Sequence, residues 1–368
     1  MTLSPLLEPT SFDDLPGWRA DRHGEAFAAF RLSARRALQK PYKSGSLGID
    51  AGAFEEAFQA ADAAETLDDE AARGFFERWF LPCRVIPEGD GSGFVTGFYE
   101  PEVAASPVRM DEFTVPLLGV PDDLVKVDDA NRPDGLDPYL AFGRSTSAGI
   151  VEYFDRPAIE KGAVGERAPT LAWLADPVDA FFVHVQGAAR LSMPDGSVKR
   201  VTYTAKSGQR FTGPGGLLVV MGEIPAAEIS MQAIRAWFRR NPHRVDEILH
   251  QNRSYIFFRF AEVEDTGMGP IAAAKVPLTA GRSMAVDRLL HTFATPFFVD
   301  APALRAFDDV PFRRLMIAQD TGSAIVGPAR GDLFAGSGYA AGEIAGVVRH
   351  PADFYALVPR ALLEAGPA

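Results

Sequence analysis

The sequence is poor in the residues that build the commonest covalent and metal centres. It has one cysteine, Cys83, in 368 residues. An intramolecular disulfide and a thiolate zinc site are both excluded. Its six histidines (His23, His184, His243, His250, His291 and His350) are scattered, with no HxxxH or HExxH pair. The bland reading, surface or core packing, is preferred for them; no metal site is expected and no cofactor is implied. The chain holds 37 Lys and Arg against 49 Asp and Glu, a net charge of −12, with no basic run. Nucleic acid is therefore not an expected partner. No apolar stretch approaches the ~18 residues of a membrane span. The opening MTLSPLLEPTSFDDLPGW has neither a basic nor an apolar signal region. It reads as the start of a cytosolic chain or of a mature form whose signal has been removed, and composition does not separate the two. No internal repeat or low-complexity tract is present.

What is there describes an ordinary globular protein, 47% hydrophobic and 23% charged. The length suggests two domains, with one large β-rich domain as the alternative. The 34 glycines and 28 prolines fit many short strands joined by turns.

The first ~80 residues read as helical. Phe27, Phe30, Ala34, Ala37 and Leu38 recur at helical spacing between Asp21 and Gln39. A second amphipathic stretch runs from Ala53 to Ala61. Asp68 and Asp69 can cap a third, carrying Phe75, Phe76, Trp79 and Phe80 as far as Pro82. From Gly93 the pattern alternates, and GFVTGFYEPEV reads as a strand closed by proline. DAFFVHVQGAARLSM reads as a β run, MPDGS as a hairpin turn and VKRVTYTAK as the return strand. A helix is expected from Pro225, with Ile229, Ile234, Trp237 and Phe238 towards a core. NPHRVDEILHQN follows as a second helical piece and RSYIFFRF as a buried strand. Val263 to Lys275 is small and glycine-containing and reads as a linker; strands and turns complete the chain.

The chemistry concentrates in RRLMIAQDTGSAIVGPARGDLFAGSG, residues 313–338. An apolar strand ends on Asp320, and Gly322 permits a turn after it. A second turn, flanked by Gly327 and Gly331, is expected to present Asp332 just before Leu333 and Phe334. A carboxyl beside apolar groups and a second carboxyl gains proton affinity, because its charged form is disfavoured. A proton-donating acid near neutral pH is what glycosidic cleavage requires. Two acids capping turns would leave the same local trace.

The wider pattern decides between these readings. DTGSAIVGPARGDLFAGSG resembles the signature of the 3D domain, named for three aspartates, and Asp287 in SMAVDRLL completes the set. TGFYEPEV, RPAIEKGA, FFVHVQGAARL and NRSYIFFR resemble, in order, further motifs of the membrane-bound lytic murein transglycosylase A family. The resemblance covers residues ~90 to ~360. It departs at Ala189, where the family's QGSG motif reads QGAA, and in having no lipid-attachment cysteine near the N-terminus.

The resemblance implies a mainly β fold with N-terminal helices. Its catalytic domain would be a double-psi β-barrel, discontinuous over 1–103 and 267–368. A smaller β-barrel domain, 104–266, would be inserted and form the other wall of a groove for an extended glycan. It implies non-hydrolytic cleavage of peptidoglycan, with Asp332 as acid and then base and Asp320 as its electrostatic support. Asp287 is expected to hold the loop and is carried as a substrate-side candidate with Thr96, Tyr99 and Gln186. Of the neighbours Phe98 and Tyr99, Tyr99 is preferred for the groove. Asp176 reads as a turn residue. Peptidoglycan strands are the implied partner. The implied place is the periplasm, at the outer membrane through a lipid anchor either trimmed from this sequence or absent. A hydrolytic glycosidase on the same barrel and a non-catalytic glycan-binding wall protein are the alternatives.

Overall fold

A computed structural model describes residues 2–89, 91–262 and 267–364. The chain begins with β1 (Leu7–Pro9), α1 (His23–Gln39), α2 (Glu55–Ala63), α3 (Asp69–Trp79), β2 (Phe80–Val85) and β3 (Phe94–Glu100). There follow β4 (Glu102–Ser106), β5 (Val115–Leu118), β6 (Leu124–Lys126), β7 (Phe142–Thr146), β8 (Gly149–Val151), α4 (Arg156–Glu160), β9 (Thr170–Leu174) and α5 (Pro177–Gln186). Then come β10 (Ala188–Ser192), β11 (Val198–Lys206), α6 (Pro214–Val220), α7 (Met231–Arg240), α8 (Val245–Leu249) and β12 (Ile256–Ala261). The last third holds β13 (Ser283–Val286), β14 (Pro296–Ala301), β15 (Phe312–Asp320), β16 (Arg330–Ser337), α9 (Gly338–Ala345), β17 (Arg349–Pro351), β18 (Asp353–Pro359) and α10 (Arg360–Glu364). No described helix is long and apolar enough to cross a membrane.

The chain divides into two compact units, Met1–Tyr99 with Gly267–Ala368, and Glu100–Thr266. The first boundary thus falls at Tyr99, a few residues before the expected 103. The reason is that β4 pairs in parallel with β10 and so belongs to the second unit's sheet. Of the expected linker, residues 263–266 lie outside the described residues.

In the first unit a nine-stranded sheet runs β1-β2-β18-β14-β15-β13-β16-β3-β17. Strands from both ends of the sequence are therefore neighbours, which makes this unit discontinuous. Its core joins the buried faces of the N-terminal helices to the sheet: Phe27 and Phe30 of α1 pack with Phe54, Phe76 and Phe80 and with Leu315 and Ile317. Asp68 caps α3 by accepting from Ala71 N–H. Phe80, expected on that helix, instead begins β2. One buried charge, Arg282, makes two 2.9 Å bonds to Asp21 and a further bond to Glu25.

In the second unit a six-stranded sheet runs β12-β11-β10-β4-β9-β5, beside a three-stranded sheet β6-β7-β8. The expected β run at 180–193 is half helix. Asp176 caps α5 by accepting from Val178 N–H, Pro177 takes its first turn, and Gly187 ends it in the left-handed region at φ 75°. α5 buries Phe181, Phe182, Val183 and His184. A helix buried nearly all round reads in sequence like a buried strand, which is why periodicity misled here. The helix expected from Pro225 starts instead at Met231, capped by Ser230. The hairpin β10–β11 pairs as expected, Ala188 with Thr202 through Ser192 with Val198.

Candidate active site

Asp320 closes its strand as expected, but Asp332 does not sit on a turn. Asp320 is the last residue of β15, and Asp332 lies inside β16. Gly331 is there for close approach, not for bending: a Cβ would fall 2.5 Å from Met284 Sδ and 2.9 Å from Phe354. Gly327, with φ 112°, carries the turn. β13 runs between β15 and β16, and its Ala285 pairs with Asp320 on one side and Asp332 on the other. The acids therefore share one row of the sheet, two strand spacings or roughly 10 Å apart at the backbone. The methyl group of Ala285 is all that stands between them on that row. Both acids are half-buried, so each still reaches the surface.

Their electrostatics differ. Burial pushes Asp320 up to about 6, and the charge of Asp332 adds to that rise. Bonds from the N–H groups of Ala273 and Thr321 and the charge of Lys275 hold it back. Burial also raises Asp332, against the Thr96 hydrogen bond and the positive charge of Arg330. The Thr96 hydroxyl donates to Asp332 Oδ1 at 2.5 Å, and Arg330 Nη2 donates to that hydroxyl at 2.7 Å.

β3 supplies the other side of the row. Phe94 lies under the Arg330 guanidinium, Thr96 meets Asp332, and the Phe98 ring lies 5.2 Å from that of Phe334. These three contacts run in step along the two strands. Gly97 and Tyr99 alternate to the opposite face, under α9. A Cβ at Gly97 would lie 2.9 Å from Ala345, and one at Gly342 would lie 2.9 Å from the Tyr99 ring. Tyr99 is buried there, so Phe98 is the aromatic that shares the face of the acids, the reverse of the preferred expectation. Asp287 follows β13 directly. Its carboxylate accepts from Leu289 N–H at 3.0 Å and from Gly327 N–H at 2.9 Å, tying two loops together. Gln186 ends α5 in the second unit and so is a helical residue, not the strand residue expected.

Residues 94–259 match a family model described as the MltA specific insert domain, and residues 282–358 match the 3D domain. The chain is similar over 98% of its length, at 50% identity and a TM-score of 0.91, to a crystal structure of membrane-bound lytic murein transglycosylase from Agrobacterium tumefaciens, of which 99% is covered. The chain belongs to the membrane-bound lytic murein transglycosylase A family. A crystal structure of MltA from Neisseria gonorrhoeae is 30% identical, with a TM-score of 0.77, over 96% of this chain and 92% of that one. A curated relative, membrane-bound lytic murein transglycosylase A of Escherichia coli strain K12, is 31% identical over 69% of this chain and 62% of its own length. The match thus spans less than two thirds of that protein.

Both acids of the family signature lie in the 3D stretch, and Thr96 comes to Asp332 from the start of the MltA stretch. Sequence reading did not find Arg330, Ala285 or Ala273. Arg330 had a usable signal: it precedes Asp332 by two positions, which puts both on one face once β16 is read as a strand. Ala273 had none, since it acts through its backbone N–H on Asp320. The segment around it, read as a linker, is part of the site's wall: Ala274 donates to Gln319 O and accepts from the Tyr42 hydroxyl.

Proposed function

We propose that this chain is a peptidoglycan lytic transglycosylase that cleaves the β-1,4 bond between N-acetylmuramic acid and N-acetylglucosamine. The observation that carries the reading is the row Asp320–Ala285–Asp332, two acids of raised proton affinity on the two strands that flank β13 in the 3D domain. Asp332 is the catalytic acid in this reading. Its proton goes to the glycosidic oxygen and the C1–O bond breaks towards the leaving N-acetylglucosamine. The carboxylate then takes the proton of the muramoyl C6 hydroxyl, and O6 closes on C1 to give the 1,6-anhydro end. No water is consumed and the acid is regenerated.

Asp320 sets how tightly the pair holds its last proton. Burial holds a proton on Asp320 up to about 6, and once ionised its charge lies on the same row as Asp332. That charge steadies the positive sugar ring of the transition state, while the proton is available for the leaving group. Phe98, half-buried and backed by the buried Phe334 ring, offers an apolar ring face beside the acid for a sugar, and Thr96 orients the acid. Asp287, Tyr99 and Gln186 stay candidates for the substrate side only in this reading. For Asp287 and Tyr99 the contacts above favour a structural role instead. A double-psi β-barrel for the first unit and a smaller barrel for the second also belong here. The parallel β13–β15 pair within an otherwise largely antiparallel sheet supports the first.

Muropeptide mass spectrometry on purified sacculi tests the activity. Anhydro ends support it. Reducing ends would replace it with hydrolysis, which a second carboxylate near Asp332 also permits. The substrate lies outside the inner membrane, so the reading places the protein in the periplasm, at the outer membrane if lipid-anchored. Fractionation of cells expressing the full-length gene checks this, and a purely cytosolic protein would refute it.

A further inference from the structure

The hydrogen-bond chain beside the acid assigns roles to two groups that carry no proton in the reaction. A guanidinium only donates, and a hydroxyl has one proton and two lone pairs. Arg330 Nη2 occupies a lone pair of Thr96 Oγ1 at 2.7 Å. Among the described residues the hydroxyl proton then has one acceptor, Asp332 Oδ1 at 2.5 Å. Arg330 itself is held against Phe94, by its carbonyl oxygen and its ring, and against the Gly331 carbonyl oxygen. It has little freedom to swing away. An oxygen that accepts from Thr96 is a poor place for the acid's own proton, because in a protonated carboxyl the hydroxyl oxygen is the weaker acceptor and the carbonyl oxygen the stronger. The other oxygen, Oδ2, has no hydrogen-bond partner among the described residues.

We infer that Arg330 is a positioning residue: it aims the Thr96 hydroxyl at Oδ1 of Asp332 and thereby places the catalytic proton on Oδ2. This rests on the reading of Asp332 as the acid and adds which atom acts. Oδ2–H gives its proton to the glycosidic oxygen, and the same Oδ2 takes the proton of the C6 hydroxyl. Oδ1 stays bonded to Thr96 throughout, so the carboxylate does not need to rotate between the two halves of the reaction. The Thr96 bond favours the ionised form, which helps the acid release its proton and costs some readiness to regain it.

The test is a double-mutant cycle read by carboxyl ¹³C NMR titration of Asp332 in the full chain, assigned with D332N, and by the pH profile on sacculi. T96V removes a bond to a charged acceptor and should raise the Asp332 midpoint by about one to two pH units. T96S restores the hydroxyl and should stay within a few tenths of wild type. R330M should raise the midpoint more in the wild-type background than in the T96V background, because part of its effect passes through the hydroxyl. R330Q gives the same comparison if R330M does not fold. Equal effects of the Arg330 change in both backgrounds, or a T96S midpoint matching T96V, would overturn the relay. Activity surviving in D332N would instead remove the acid assignment, and the titrations would still decide the relay.

Discussion

Asp320→Asn is the sharpest probe of the pair, because it removes a charge and keeps the shape. Asparagine retains an acceptor for the Ala273 N–H, so the local bonding survives. The two acids lie roughly 10 Å apart at the backbone, by two strand spacings. At that distance unit charges interact by about 0.4 kcal/mol in water and about 1.7 kcal/mol at the effective dielectric of a protein surface. Converted at 1.36 kcal/mol per pH unit, the loss of Asp320 should lower the proton affinity of Asp332 by roughly 0.3–1.2 units. The direction follows from sign: without a neighbouring negative charge, Asp332 ionises at lower pH. The alkaline limb of the kcat/KM profile on purified sacculi should therefore move down. Stability gives a second reading. The folded Asp320 titrates near 6, above its ordinary 3.8. The folded state thus binds the proton more tightly, and wild-type stability falls as pH rises from about 4 to about 6. The Asn variant lacks that fall. Above pH 6 it should be more stable than wild type, by at most about 3 kcal/mol for two units and less after relaxation. Urea midpoints at two pH values measure this. An unmoved or raised alkaline limb, or a variant that keeps the wild-type pH dependence of stability, would refute the coupling.

Asp332→Asn should lower turnover by at least roughly 10²-fold, the scale of a lost general acid, with the fold intact by circular dichroism; a folded variant keeping most of its activity removes Asp332 from the mechanism. Gly97→Val should cost roughly 1–3 kcal/mol, since its Cβ meets Ala345 at 2.9 Å and Val348 at 3.0 Å, and should reduce activity by shifting Thr96. A wild-type urea midpoint for that variant would show that α9 yields freely. Arg282→Met leaves the buried Asp21 without its bidentate partner, which should destabilise by about 3–5 kcal/mol in urea titration. A loss below about 1 kcal/mol would mean that Leu315 N–H, which also donates to Asp21, suffices.

The N-terminal helices were legible because one face of each is apolar: Phe27, Phe30 and Ala34 recur at helical spacing, and Asp68 marks its helix start. Asp320 and Asp332 were legible as candidates because they stand in a dense motif. Their geometry was not. Gly331 looked like a bend, since sequence records a missing side chain and not its reason. Here the reason is Met284 and Phe354, brought against it from distant positions. The α5 segment failed for a related cause. Phe181, Phe182 and Val183 are all buried, and a helix with little exposed surface leaves no periodic trace. The choice of Tyr99 over Phe98 depended on which face of β3 met α9. That is set by the partners Ala345 and Gly342, more than two hundred residues away.

Placing the acids on the two strands that flank β13 has, in the proposed reading, a consequence for catalysis that turns would not give. A turn can rotate its side chains as the backbone flexes, whereas β13 is held by β15 on one side and β16 on the other, fixing the register of both acids through Ala285. The separation of two carboxylates sets their coupling, and coupling sets the pH range in which the pair keeps one proton. In that reading, a fixed register fixes the working range. The loops around the row are tied down in turn: Asp287 holds the Gly327 turn, and Ala273 and Thr321 hold Asp320. The third aspartate of the motif need not touch sugar to matter. In the proposed reading, by fixing the loop that leads into β16 it keeps Arg330, Thr96 and Asp332 in the line along which the proton is aimed.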